Sequence, residues 1–301
     1  MHVHRSASAV RIFAPAKLNL FFEVLARRED GFHEIETLMV PVSLGDELEF
    51  SATTDRSITL DCRWAYLTAG SSDSTYELLP QNEKNLAVRA VELLRTRAGY
   101  RAGATMRLWK RIPSAAGLGG GSSDAAAALV AANLAWNLNW SRPQLSAVAA
   151  EIGSDVPFFL ADGAAVCRGR GEQVERLGRL PRMAVVIVKP PEGLSTPAVY
   201  RACQPSVQPR RVQPLIEALM GGQNSLGGRL LHNQLEPAAA QLSAWPNRLQ
   251  KEFARLDCLG QQLSGSGTSY FGVCRNSAHA RHVAARLSAR NLGHVFKVHT
   301  L

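Results

Sequence analysis

No apolar run in this 301-residue chain approaches the ~18 residues that a membrane-spanning helix requires, so helical membrane insertion is not expected. The first residues, "MHVHRSASAVRIFAPAK", contain no apolar signal core and run directly into a strand-like pattern, which predicts a cytoplasmic protein. Cys62, Cys167, Cys203, Cys258 and Cys274 are scattered and form no C-x-x-C pair. That spacing argues against a zinc or dithiol centre and predicts reduced, buried thiols. Lysine is scarce, with six against 28 arginines, and none falls between Lys110 and Lys189. Aromatic residues make up only 7% and seldom interleave with the basic ones, which occur in runs of two or three at most. The net charge of +9 therefore does not predict a nucleic-acid surface; it fits a small anionic ligand better.

What is present reads as a globular enzyme-sized chain. Hydrophobic residues make up 46% and charged ones 20%, and beyond roughly 250–300 residues chains tend to divide into two domains. "VRIFAPAKLNLFFEVL" and "DELEFSATTDRSITLDC" carry strand patterns. "WAYLTAGSSDSTYELLPQ" is polar and turn-rich, and "NEKNLAVRAVELLRTRAGY" has helical spacing with Gly99 as its stop. "ATMRLWKRI" predicts a strand, followed by helices over "DAAAALVAANLAWNL" and "PQLSAVAAEIG", the latter opening on Pro143. Beyond residue 167, "RMAVVIVKP", "SYFGVC" and "GHVFKVH" predict strands, while "QPLIEALM" and "SAHARHVAARLSAR" predict helices. The mixture is an α+β fold. "RACQPSVQPRRVQP" predicts a surface segment.

Between a predicted strand and helix lies "RIPSAAGLGGGSSDAAAAL", with Gly117, Gly119, Gly120 and Gly121 within five positions. A glycine loop ahead of a helix N-terminus presents backbone N–H groups without side-chain obstruction, beside a partial positive charge of roughly +0.5. Such a loop suits phosphate. Ser122 and Ser123 can either cap the helix or donate hydroxyls to a phosphate or its metal. The absence of lysine here excludes a P-loop, and no acidic residue follows Asp124 before Glu151 to hold a ribose, as a dinucleotide fold would need. The V-A-I-K, H-R-D and D-F-G signatures of protein kinases are also missing.

The run P-x3-G-L-G-G-G-S-S-D-A-A from Pro113 to Ala126, "APAKLNLFFEV" near the start and "LSGSGTSYFGV" near the end together resemble the GHMP superfamily of small-molecule kinases. Within it, "REDGFHEIETLMVPVSLGDELEF", "GSDVPFFL" and "STPAVY" resemble the kinases of a cytidine-diphosphate-linked methylerythritol in the non-mevalonate route to isoprenoid precursors. The resemblance spans nearly the whole chain. It implies an N-terminal domain of the ribosomal-protein-S5-like kind over 1–167, which binds ATP, and a C-terminal α/β sandwich domain over 168–301, which binds the acceptor, with the active site in the cleft between them. The reaction implied is transfer of a phosphoryl group from ATP, with Mg²⁺, to the 2-hydroxyl of the acceptor. Homoserine or mevalonate kinases of the same superfamily are the enzymatic alternatives; a catalytically silent ligand sensor on the same fold and a basic RNA-binding protein sharing the N-terminal topology are the others.

By that resemblance Asp155 is the catalytic aspartate, and Lys17 stabilises it and the transferred phosphoryl. ATP would be bound by Pro113, Ser114, Ala115, Ala116, Gly117, Leu118, Gly119, Gly120, Gly121, Ser122 and Ser123, with Asn85 and Lys110 toward the adenosine end. Asn85 also reads as a helix cap and Lys110 as a solvated lysine. Asn19, Phe32, His33, Tyr200, Gly265 and Gly267 would bind the acceptor, His33 reading the base edge and Tyr200 stacking on it. Ser123 is the candidate Mg²⁺ ligand. Two departures stand out: Ala115 replaces a glycine common in the family, and the segment from Cys62 to Gln81 is long.

Overall fold

The computed structural model describes residues 1–66 and 79–301. The middle of the polar stretch from Trp64 to Gln81, expected as a loop, lies outside them. The chain forms two compact units, one built from Met1–Ala16, Leu44–Ser114 and Gly119–Asp162, the other from Lys17–Ser43, Ala115–Leu118 and Gly163–Leu301.

The first unit begins with β1 (His2–Arg5), paired antiparallel with the start of β2 (Val10–Arg27). The end of β3 (His33–Thr53) pairs antiparallel with β5 (Gly103–Lys110), and β4 (Ile58–Trp64) lies parallel to β5 on its other side. The stretch from Asp46 to Cys62, expected as strand throughout, is broken where Asp55 Oδ1 accepts from the Ser57 backbone N–H and hydroxyl. That side-chain turn competes with the sheet ladder. Alternation is strict at the β3–β5 pairing: Leu48, Phe50, Met106 and Leu108 are buried, while Glu49 faces Arg11 and Arg107 on the other side.

Over the buried face pack α1 (Leu86–Ala98) and α2 (Gly120–Ala135). Gly99 ends α1 in the left-handed conformation with its N–H returned to Arg95 and Thr96, as the sequence predicted. Ala125 to Ala128, Ala131 and Ala132 of α2 are buried, so neighbouring backbones approach closely and the helix becomes part of the unit's core. α3 (Arg142–Ile152) and the short α4 (Val156–Leu160) complete the unit, α4 packing on α2 and α3.

The second unit takes the rest of β2 and β3, joined by β6 (Ala165–Arg168) and β7 (Gln173–Arg176). Its separate sheet runs β10 (Gly260–Leu263), β11 (Tyr270–Cys274), β8 (Ala184–Lys189), β12 (His294–His299), antiparallel throughout. Around it lie α5 (Thr196–Ala202), α6 (Gln213–Met220), α7 (Asn224–Arg229), α8 (Leu235–Leu242), α9 (Trp245–Ala254) and α10 (Ser277–Ser288). A two-residue strand, β9 (His232–Asn233), pairs parallel with β2. Val186, Val188, Leu235, Leu249, Phe253, Tyr270, Val283 and Leu287 share one apolar cluster. None of the five cysteines forms a disulfide and only Cys258 is partly exposed, in line with the expected reduced thiols. Burial pushes the Cys62 thiol up to about 12, which leaves it unreactive. No helix among the described residues is long and apolar enough to cross a membrane.

Candidate active site

In the first unit, Gly119 opens α2, capping the helix in the left-handed region (φ 70°) with no side-chain cap bond. The two serines therefore do not cap it. Ser122 is half-buried, and the buried Ser123 hydroxyl has no hydrogen-bond partner among the described residues. With glycine at the cap, the first N–H groups of α2 have no side-chain partner at the cap.

Behind the loop sits a buried ion cluster that no local pattern announced. The Lys110 ammonium is bonded to Asp46 and Asp124, with side chains at most 8% exposed. Asp46 Oδ1 also accepts from the backbone N–H groups of Arg111 and Ile112, the latter at 2.8 Å. Asp46 thus holds the turn into the glycine loop while Asp124 anchors the second turn of α2. Burial and the neighbouring Asp46 carboxylate raise the Asp124 carboxyl against the attraction of Lys110, while the two carboxylates raise the Lys110 ammonium against burial. The reading of Lys110 as a solvated lysine is corrected by this burial. Asn85 caps α1, accepting from Ala87 N–H at 3.0 Å and donating to the Pro80 carbonyl at 2.9 Å. Asp155 stands half-buried at the head of α4 and makes no cap bond to it.

In the second unit, period-two alternation along β2 puts Lys17, Asn19, Phe21 and Glu23 on one face. Three polar residues buried on such a strand need partners. Lys17 Nζ donates to Asn19 Oδ1; Asn19 Nδ2 donates to Thr37 Oγ1 at 2.8 Å, and Thr37 to the Phe21 carbonyl at 2.7 Å. Gln262 Nε2 donates to the Asn19 carbonyl at 2.6 Å. Two glycine segments meet this chain. A Cβ on Gly117 (φ 72°) would fall 2.1 Å from the Ser264 carbonyl oxygen, so only glycine fits. One on Gly265 (φ 56°) would fall 3.2 Å from Lys17 Nζ and 3.1 Å from Asn19 Oδ1. Ser264 Oγ donates to the Gly117 carbonyl at 3.0 Å, and the Lys17 N–H to that of Leu118 at 2.9 Å. Ala115 is held at φ 47°, a conformation that favours the glycine it replaces.

Elsewhere in this unit His33 and Tyr200 lie with ring centroids 5.1 Å apart, tilted by 39°. Tyr200 also meets Phe22 edge-on at 6.3 Å. Burial, then the charge of Arg27, lowers the His33 pKa, favouring a neutral ring with one donor and one acceptor. Phe32 is exposed, with the Arg170 guanidinium 5.0 Å above its ring. Arg170, Thr37 and Gln262 were not singled out from the sequence. Thr37 belongs to the quoted "REDGFHEIETLMVPVSLGDELEF" and was within reach; the other two carry no local signal.

Residues 85–163 match the family model of the GHMP kinases N terminal domain, and residues 215–292 that of the GHMP kinases C terminal domain. The chain is 42% identical over 279 residues to 4-diphosphocytidyl-2-C-methyl-D-erythritol kinase of Pelotomaculum thermopropionicum, across 92% of this chain and 93% of that one. The chain belongs to the 4-diphosphocytidyl-2-C-methyl-D-erythritol kinase family. The Synechococcus member is 38% identical over 296 residues, covering 93% of this chain and 92% of its own. A crystal structure of 4-(cytidine 5'-diphospho)-2C-methyl-D-erythritol kinase aligns over 96% of this chain and 98% of its own, with TM-score 0.79 and 35% identity. Homoserine kinase of Cytophaga hutchinsonii, at 21% identity and TM-score 0.76, shares the fold across all of this chain and 97% of its own. As a member of the family the chain is a small-molecule kinase with ATP as its co-substrate.

Proposed function

We propose that this kinase transfers the γ-phosphoryl group of ATP to the 2-hydroxyl of 4-diphosphocytidyl-2-C-methyl-D-erythritol, a step in the non-mevalonate route to isoprenoid precursors. The new bond joins the acceptor oxygen to phosphorus, the β–γ bridge bond breaks, and ADP leaves. Asp155 accepts the hydroxyl proton, and Lys17 offsets the negative charge at the transferred group. Residues 1–167 carry the nucleotide, through Pro113 to Ser123, and residues 168–301 contribute to acceptor binding. Asn85 and Lys110 serve the nucleotide side by fixing the helix start and the loop. Asn19, Phe32, His33, Tyr200, Gly265 and Gly267 serve the acceptor.

Mg²⁺ neutralises the β- and γ-phosphates when it accompanies ATP. Among the described residues no group of three or more His, Cys, Asp or Glu is placed to hold a metal ion. Ser123, whose buried hydroxyl has no hydrogen-bond partner among the described residues, is the protein donor that fits the ion.

The observation that carries the choice of acceptor is the His33–Tyr200 ring pair, a neutral imidazole beside a phenol ring, suited to reading and covering a pyrimidine. Turnover with ATP and the cytidine-linked acceptor, compared with unmodified methylerythritol phosphate, homoserine and mevalonate, tests it. Only the cytidine-linked compound should be used efficiently; equal use of another alcohol overturns the assignment. His33→Ala should raise the acceptor KM by roughly 3- to 10-fold, the equivalent of one lost hydrogen bond, and Tyr200→Ala by at least as much. The ATP KM should stay constant in both. Equal losses for the two substrates, or none, would remove the residue-level support.

Gly119→Val places a β-branched residue at a φ of 70° at the head of α2. The variant should fold, with its ATP affinity lowered by about tenfold, since loop strain of 1–2 kcal/mol is of that size. Calorimetric titration with an ATP analogue measures it, and wild-type affinity would show that the loop is a packing turn only.

A further inference from the structure

We propose that Asn233 is a positioning residue for the Lys17 ammonium, acting through the backbone of residues 263–265. The proposal rests on the reading of Lys17 as the residue that stabilises the transferred phosphoryl.

Asn233 is buried on β9, which is paired directly to β2 through Phe21↔His232 and Phe22↔Asn233. Both of its donors and its oxygen are engaged. Nδ2 donates to the Leu263 carbonyl at 2.9 Å and to the Gly265 carbonyl at 2.8 Å, and Oδ1 accepts from the Leu235 N–H at 3.0 Å. The opposite amide orientation would set an oxygen against two carbonyl oxygens, so the pattern admits one orientation. One residue into α8, Glu236 accepts from the Leu263 N–H and the Tyr270 hydroxyl, both at 3.0 Å. The corner between β9 and α8 thus grips both sides of residue 263.

What this grip holds is the surface against Lys17. Gly265 approaches so closely that its absent side chain would touch both Lys17 Nζ and Asn19 Oδ1, and Gln262 in the same segment holds the Asn19 carbonyl. Lys17 is itself bonded to Asn19. Lateral drift of residues 263–265 would therefore enlarge or close the space around the ammonium and change where its charge is delivered. A misplacement of about 1 Å can cost on the order of 100-fold in rate.

Asn233→Asp preserves size while replacing the double donor with an acceptor. The expected result is a folded enzyme whose kcat falls about 10- to 100-fold with an ATP KM within about twofold of wild type. The decisive measurement is the cycle with Lys17→Ala. If Asn233 acts through Lys17, adding Asn233→Asp to Lys17→Ala should lower the residual kcat by no more than about twofold. Losses that multiply in full overturn the proposal while leaving the role of Lys17 intact. Wild-type turnover by Lys17→Ala alone overturns that role and the proposal with it. Should Asn233→Asp fail to fold, Asn233→Ala enters the same cycle, because it removes both donors without burying a charge; full multiplication there is equally fatal.

Discussion

Asp155→Asn should bind ATP normally, fold normally and lose about 10²- to 10⁴-fold in kcat, the range that a positioned general base contributes. The substitution keeps the shape of the side chain and removes its basicity. Folding should be spared because asparagine keeps the size and most of the hydrogen-bonding capacity of this half-buried side chain at the head of α4. Binding should be spared because the glycine loop and the lysine cluster behind it are untouched. The kcat effect should therefore appear without a matching change in the ATP KM, the pattern of an interaction that matters in the transition state. Steady-state kinetics beside a thermal unfolding curve decide it: a stable variant turning over near the wild-type rate would leave the phosphoryl transfer without its proposed base.

How far the sequence leads depends on whether the physics is local. β8 is four consecutive buried β-branched residues, Val185 to Val188, and α6 places Leu215, Ile216 and Leu219 on one stripe, so both were legible from pattern alone. α8 and α9 were not. α8 buries one large apolar residue, Leu235, beside Ala238 and Ala239, and α9 shows only a narrow buried stripe through Leu249 and Phe253. β6, β7, β9 and β10 span four residues or fewer, too short for alternation to declare itself. The glycine motif stood out by its composition and its place between a strand and a helix, and Lys17 and Asp155 stood out through resemblance. The partners of those residues did not, because they arrive from far along the chain: Gln262 is 243 residues from Asn19, and Asp46 is 64 from Lys110. Long separation leaves no periodic trace.

The Asp46–Lys110–Asp124 cluster shows what such a hidden contact is worth. Lys110→Met keeps the apolar stem and removes the charge, leaving two buried carboxylates facing each other. Breaking a buried ion pair from one side typically costs ~3–5 kcal/mol, because the remaining charge is left without compensation. For a protein of this size the expected fall in Tm is on the order of 10 °C. The loss should depend on pH in a definite direction. Without the ammonium, burial and the neighbouring Asp46 charge hold the Asp124 carboxyl well above its unfolded value of about 4. A group whose folded pKa is raised contributes stability below the unfolded pKa and loses it as pH rises through the folded one. The gap between Lys110→Met and wild type should therefore be smaller near pH 5 than near pH 8, and adding Asp124→Asn should restore part of the stability at the higher pH. The same variant should bind ATP more weakly, since Asp46 would no longer be held where it fixes the Arg111 and Ile112 N–H groups ahead of the glycine loop. Denaturation curves at both pH values provide the test, and a Lys110→Met protein as stable as wild type at pH 8 would mean that the three charges are not confined together in solution.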